Sequence, residues 1–237
     1  MTTTSTIKKV TVASVIMMGS VFASRVIGMF REITIAGIGG IQASVDAYQI
    51  AFVLPEILNH VVATGFLSIT FIPIFSKYLV QNRTDEGWHV FSMILNTFGI
   101  ALLFLTGASV VFAPALVGLI VPGVEDPATF ALAVKMTRII LPAQLFFFAG
   151  GLLMAVQFAH EKFFIPALAP LIYNLLIIAG GIFLSPYLGM EGFAWGVLAG
   201  AFLGNFALQL WGAARLGIIY TPVASISHPD VLSYIKL

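Results

Sequence analysis

Three stretches set ionisable side chains inside long apolar runs. "SRVIGMFRE" at 24–32 carries Arg25, Arg31 and Glu32; "SVDAYQIAFVLPEILNH" at 44–60 adds Asp46, Glu56, Asn59 and His60; "AVKMTR" at 133–138 adds Lys135 and Arg138. A fixed charge at mid-membrane costs ~2.5–3.5 kcal/mol on insertion scales, so each must face a partner or a water-filled cavity. The bases Arg25, Arg31, Lys135 and Arg138 outnumber the acids Glu32, Asp46 and Glu56. A surplus of planar, always-charged donors suits an anionic headgroup, above all a phosphate or diphosphate, which guanidinium binds bidentately. The competing reading is a set of structural ion pairs, Arg25 with Glu32 and Arg31 with Asp46; the excess of bases counts against it for the set.

The elements that must position these groups are transmembrane helices. Of 237 residues, 59% are hydrophobic and only 9% are charged, against ~25% charged in soluble domains. Mean hydropathy is +1.04. The fold class is all-α, a polytopic membrane protein with candidate spans at 8–36, 44–79, 88–121, 129–158, 164–185 and 191–214. The breaks carry turn chemistry: "GIGGIQAS", "QNRTDEG", "PGVEDP", "HEKF" and "SPYLGM". Lys8, Lys9, Lys77, Arg83, Lys162, Arg215 and Lys236 fall at alternate ends, and the opposite ends are free of Lys and Arg. The positive-inside rule then places the N-terminus in the cytoplasm.

Within this frame Arg25 lies ~25 Å beyond Lys8 along a helix, in the outer half of the first span. Glu32 falls near the Arg25 face, and Arg31 lies about a third of a turn away. In the second span Glu56 and His60 share a face at i, i+4 and can pair. Pro55 removes one backbone hydrogen bond and is expected to kink that helix. Together these residues describe a polar cavity opening outward.

Other classes are excluded or weakened by what the chain lacks. It has no cysteine, so disulfides, thiolate metal sites and cysteine nucleophiles are out. A net charge of +1 gives no basic field for nucleic acid. The four histidines are scattered, no nucleophile–base spacing occurs, and "GIGG" at 37–40 is a turn rather than a nucleotide loop, so no enzyme is indicated. The start, with Lys8-Lys9 before "VTVASVIMMGSVFA", resembles a signal peptide, but the apolar pattern continues to Ile41 and reads as a retained helix. Gly192, Gly196, Gly200 and Gly204 leave one face of the last span as bare backbone, a packing surface.

At these residues a family resemblance becomes specific. S-R-V-x-G-x-x-R-[DE] at 24–32, D-A-[FY] at 46–48, A-F-x-L-P at 51–55, G-F-x-S-x-x-F-[IV]-P at 65–73 and "FFIPALAPLIYN" at 163–174 occur in the order and spacing of MurJ/MviN. The chain resembles that lipid II flippase family of the MOP transporter superfamily. The resemblance implies two six-helix lobes around a central cavity, and alternating access that moves lipid-linked peptidoglycan precursor between leaflets of the bacterial inner membrane. On it, residues 1–220 form the N-terminal lobe and 221–237 a connector to a second lobe, which would be the partner of this one. Arg25 and Arg31 would bind the headgroup of an undecaprenyl-diphosphate-linked precursor such as lipid II, and Asp46 would orient them or act in the conformational cycle. No cofactor is implied; the work of cycling falls to a coupling ion or to the membrane potential, ~2.3 kcal/mol per charge per 100 mV. Pro55 and the glycines at 37–40 are the expected flexible points.

One departure bears on substrate. Where the family typically reads N-L-L-R-R after L-P, this chain has Glu56-Ile57-Leu58-Asn59-His60, losing a basic pair and gaining an acid. Lys135 and Arg138 are candidate compensators. Competing functions are export of another lipid-linked oligosaccharide, MATE-like antiport of drugs or small cations, and a non-transporting scaffold. An acid-dominated cavity would favour antiport; Arg25 and Arg31 argue against it.

Overall fold

The computed structural model describes the backbone of residues 3–40, 43–62 and 66–236. Every regular element among them is helical. Helix α1 (Thr3–Gly39) has no proline to interrupt it and stops at Gly40, whose φ of +60° suits a residue without a Cβ. Helices α2 (Ala43–Val62) and α3 (Phe66–Val80) together occupy the stretch read as one span over 44–79; residues 63–65 lie outside the described part. Helix α2 continues on both sides of Pro55, which is buried.

Proline also marks the next interruptions. Helix α4 (Thr84–Val111) gives way at Phe112 to α5 (Ala113–Ile120), with Pro114 in its first turn. Helix α6 (Pro127–Ile140) begins at Asp126, whose carboxylate accepts from the Thr129 amide at 2.9 Å. The Thr129 hydroxyl, with the Thr129 and Ala128 amides, donates to the Asp126 carboxylate and holds it below the usual carboxylate range. Leu141 and Pro142 separate α6 from α7 (Ala143–Ala159). Helix α8 (Phe164–Leu188) is followed by α9 (Glu191–Gly200), a π-helical turn (Ala201–Ala207) and α10 (Leu208–Ala214). Among the described residues five segments are long and apolar enough to cross a membrane: 11–39, 84–111, 127–159, 164–188 and 191–214.

Missing side chains allow a close contact between α8 and α9. An ideal Cβ on Gly192 would sit 2.8 Å from the Gly180 carbonyl oxygen, on Gly196 2.7 Å from that of Leu176, and on Gly200 2.9 Å from that of Tyr173. The glycine ladder therefore lies backbone-to-backbone along α8, as small-residue interfaces do in membranes. A second core joins α3, α4 and α7 through the buried rings of Phe71, Phe75, Trp88, Phe91 and Phe148. The outer side of α1 exposes Val12, Val15, Phe22, Met29, Phe30 and Ile33, a surface suited to acyl chains.

After α10 the chain runs extended along α4. Asn96 Nδ2 donates to the carbonyls of Thr221 (3.1 Å) and Val223 (2.9 Å), and the amides of Thr221 and Ser225 donate to Ser92 and Thr97. A short amphipathic helix, α11 (Pro229–Lys236), then docks on α3 and α4: Tyr78 donates to Asp230, and the rings of Phe98 and Tyr234 lie 5.0 Å apart.

Candidate functional site

Helices α1, α2, α6, α7, α8 and α9 line a half-open cavity of about 500 Å³, with Ile140 the contribution of α6. Helix α2 contributes the largest share of the wall, through Tyr48, Gln49, Phe52, Pro55, Glu56 and Asn59. Positions 49, 52, 56 and 59 recur at helical spacing, so one face of α2 is turned into the cavity. Arg31, Glu32 and Ile35 enter from α1, Gln144 and Phe147 from α7, Tyr173 from α8 and Val197 from α9. The wall thus mixes aromatic and aliphatic side chains with polar and charged ones. Tyr48 packs edge-on to Phe52 with centroids 5.1 Å apart, and Phe147 on Tyr173 at 5.5 Å.

Arg31 is the guanidinium of this cavity. Its Nη2 and Nε donate to Glu32 Oε1 at 2.6 and 3.1 Å, and its Nη1 donates to Asn174 Oδ1 at 3.0 Å. The ion pairs expected as the bland reading, Arg25 with Glu32 and Arg31 with Asp46, are replaced by this one. The side chains of adjacent residues diverge by about 100° around a helix, yet the arginine is long enough to close that angle. Glu32 keeps much of its side chain exposed, so the pair itself adds little stability.

The remaining site candidates fall in different places. Glu56 and Asn59 line the cavity wall and Pro55 backs it. Arg25 and Asp46 are exposed on α1 and in the first turn of α2, and neither makes an ion pair among the described residues. His60 is exposed, outside the lining set. Lys135, proposed as a compensator, is drawn instead to Glu191 at 2.7 Å. Arg138 donates through Nε to the Val110 carbonyl at 3.0 Å, satisfying an acceptor in the last turn of α4. Neither joins the cavity wall. The cavity therefore holds one guanidinium against the two carboxylates of Glu32 and Glu56, and the expected surplus of bases is not found in its wall, because Lys135 and Arg138 are drawn to other partners and Arg25 lies outside the wall.

Gln49, Gln144, Tyr173 and Asn174 were not among the expected site residues. The period of α2 points to Gln49, which lies seven residues before Glu56 on the same face. Gln144 and Tyr173 arrive from helices distant in sequence, with no local signal. Among the described residues no group of His, Asp and Glu is arranged to hold a metal ion. What the arrangement offers is a partly charged, aromatic-walled chamber for an amphiphilic head.

The family described as "Lipid II flippase MurJ" matches residues 35–237. Lipid II flippase MurJ of Burkholderia cenocepacia is 30% identical over 220 residues, covering 90% of this chain and 42% of the relative. Its namesake from Thermosipho africanus is 31% identical over 196 residues, covering 83% of this chain and 40% of the relative. A solved structure, "Lipid II flippase MurJ, inward closed conformation", superposes with a TM-score of 0.76 at 27% identity, over 94% of this chain and 46% of that one. The chain spans about two fifths of the length of these curated relatives. In fold and in sequence, this multi-pass membrane chain belongs to the lipid II flippase MurJ family.

Proposed function

We propose that this chain serves a flippase that moves a lipid-linked peptidoglycan precursor, lipid II, across the bacterial inner membrane by alternating access. The observation that carries the reading is Arg31: a guanidinium held at the wall of a 500 Å³ chamber, in a helix whose outer side is apolar. Two carboxylates outnumber Arg31 in this wall, the balance that by itself favours antiport; family membership weighs against antiport and supplies the substrate class, a polyprenyl diphosphate bearing a polar head. Arg31 carries five N–H donors. Glu32 and Asn174 take three, leaving one on each terminal nitrogen for phosphate oxygens. Arg25, on the same helix, would meet the head as it enters or leaves, and Asp46 would act in the cycle rather than in binding.

Orientation follows from charge. Lys77, Arg83, Lys162 and Arg215 lie at the helix ends opposite Gly40, Val121 and Gly189, which supports a cytoplasmic N-terminus. The reaction is transport with no bond made or broken, powered by a coupling ion or by the membrane potential. A scaffold role draws on the glycine ladder, but those glycines are spent on α8 inside the chain. The test is replacement in cells depleted of their own lipid II flippase. The gene encoding this chain should restore growth and precursor delivery, and Arg31→Ala should abolish both at unchanged protein level. Full activity of Arg31→Ala would overturn the proposal.

A further inference from the structure

One stripe of α1 is polar and faces α8: Ser20, Ser24, Gly28 and Arg31 follow one another at helical spacing. The Ser20 hydroxyl donates to the Ala167 carbonyl. The other three converge on Asn174, which is 8% exposed. Asn174 Nδ2 donates to Ser24 Oγ at 3.2 Å and to the Pro170 carbonyl at 2.9 Å, and Oδ1 accepts from Arg31 Nη1 at 3.0 Å. Gly28 lies against the same amide: a Cβ there would meet Oδ1 at 4.0 Å, an ordinary van der Waals contact. The Pro170 carbonyl can only accept, so the NH₂ group must point toward it. The amide oxygen is thereby obliged to face the guanidinium.

Resting on the proposed reading of the cavity, we infer that Asn174 is a positioning residue for substrate binding. It fixes Arg31 from the α8 side while Glu32 fixes it from the α1 side. Held at both edges, the guanidinium presents its two remaining N–H groups to the cavity without a rotamer search, so binding loses less side-chain entropy. Ser24 and Pro170 act one step further out by locking the amide.

The test is a double-mutant cycle on the purified full-length protein, read as affinity for undecaprenyl diphosphate in lipid nanodiscs. Asn174→Ala should weaken binding roughly tenfold, the scale of one hydrogen bond to a charged group. In an Arg31→Ala background the same substitution should change affinity by less than about twofold, because the group it positions is gone. Ser24→Ala, a gentler change at the edge of the same network, should weaken binding by about threefold and also lose its effect without Arg31. Equal losses from Asn174→Ala in both backgrounds, or no loss in either, would overturn the inference. Unchanged binding by Arg31→Ala alone would instead strike at the proposed function.

Discussion

A single methyl group at Gly150 asks for space that the helix packing does not contain. An ideal Cβ there falls 1.6 Å from the Asn205 carbonyl oxygen and 2.6 Å from its carbon. Carbon–oxygen contacts relax at ~3.3 Å, so the π-helical turn or α7 would have to retreat by about 1.7 Å. The obstacle is backbone, with no flexible side chain to yield. Overpacking of a well-packed site costs ~1–3 kcal/mol, and Gly150→Ala should lie at the upper end, about 3 kcal/mol. Gly107 supplies the control: it is also in a helix interior, nothing lies within 4 Å of its missing Cβ, and Gly107→Ala should gain up to ~1 kcal/mol from helix propensity. Denaturant unfolding of the purified variants in one detergent measures both. Because α7 carries Gln144 and Phe147 into the cavity wall, Gly150→Ala should also lower transport. Stability of Gly150→Ala within ~0.5 kcal/mol of the wild type, or an equal loss at Gly107, would refute the reasoning.

Other expectations follow from the same contacts. Glu32→Gln removes one of two cavity carboxylates while its amide oxygen can still accept from Arg31; affinity for a diphosphate lipid should rise several-fold, while stability changes by less than ~1 kcal/mol, since Glu32 is largely exposed. Asp126 has a depressed folded pKa, so its carboxylate contributes stability above its unfolded pKa, near 4. That contribution is lost as pH falls through the folded value; the deficit of Asp126→Asn in denaturant melts should therefore be full at pH 7 and vanish in acid. Asp230→Asn weakens the bond from Tyr78 and the attraction of Lys77 at 3.8 Å, and should speed amide exchange across 231–234 with little change in α4.

How far the sequence could be read depended on whether the signal was local. Apolar runs broken by turn residues located the helices, and the glycines at 192, 196 and 200 announced a bare face that α8 now covers. The cavity face of α2 was legible in part: helical periodicity set Glu56 beside His60, whereas the wall takes Asn59 with Glu56 and leaves His60 outside it. Charge pairing was not. Whether Glu32 takes Arg25 or Arg31 depends on side-chain reach, and Arg31 is also drawn toward Asn174, 143 residues away. Lys135 and Arg138 looked like cavity bases by depth alone, but Glu191 and the Val110 carbonyl, both distant in sequence, turned them elsewhere. The π-helical turn at 201–207, too, follows from packing and leaves no compositional trace.

The central claim is that the Arg31 chamber receives the head of an anionic lipid. This chain contains no cysteine, so a single one can be introduced at Asn59 on the cavity wall and compared with one at Gly123, exposed in the turn between α5 and α6. A membrane-impermeant thiol reagent should label both, and undecaprenyl diphosphate should slow labelling of Asn59→Cys about tenfold or more, whereas labelling of Gly123→Cys should be insensitive to the lipid. Equal labelling of Asn59→Cys with and without the diphosphate lipid, while Arg31 is intact, would contradict the account.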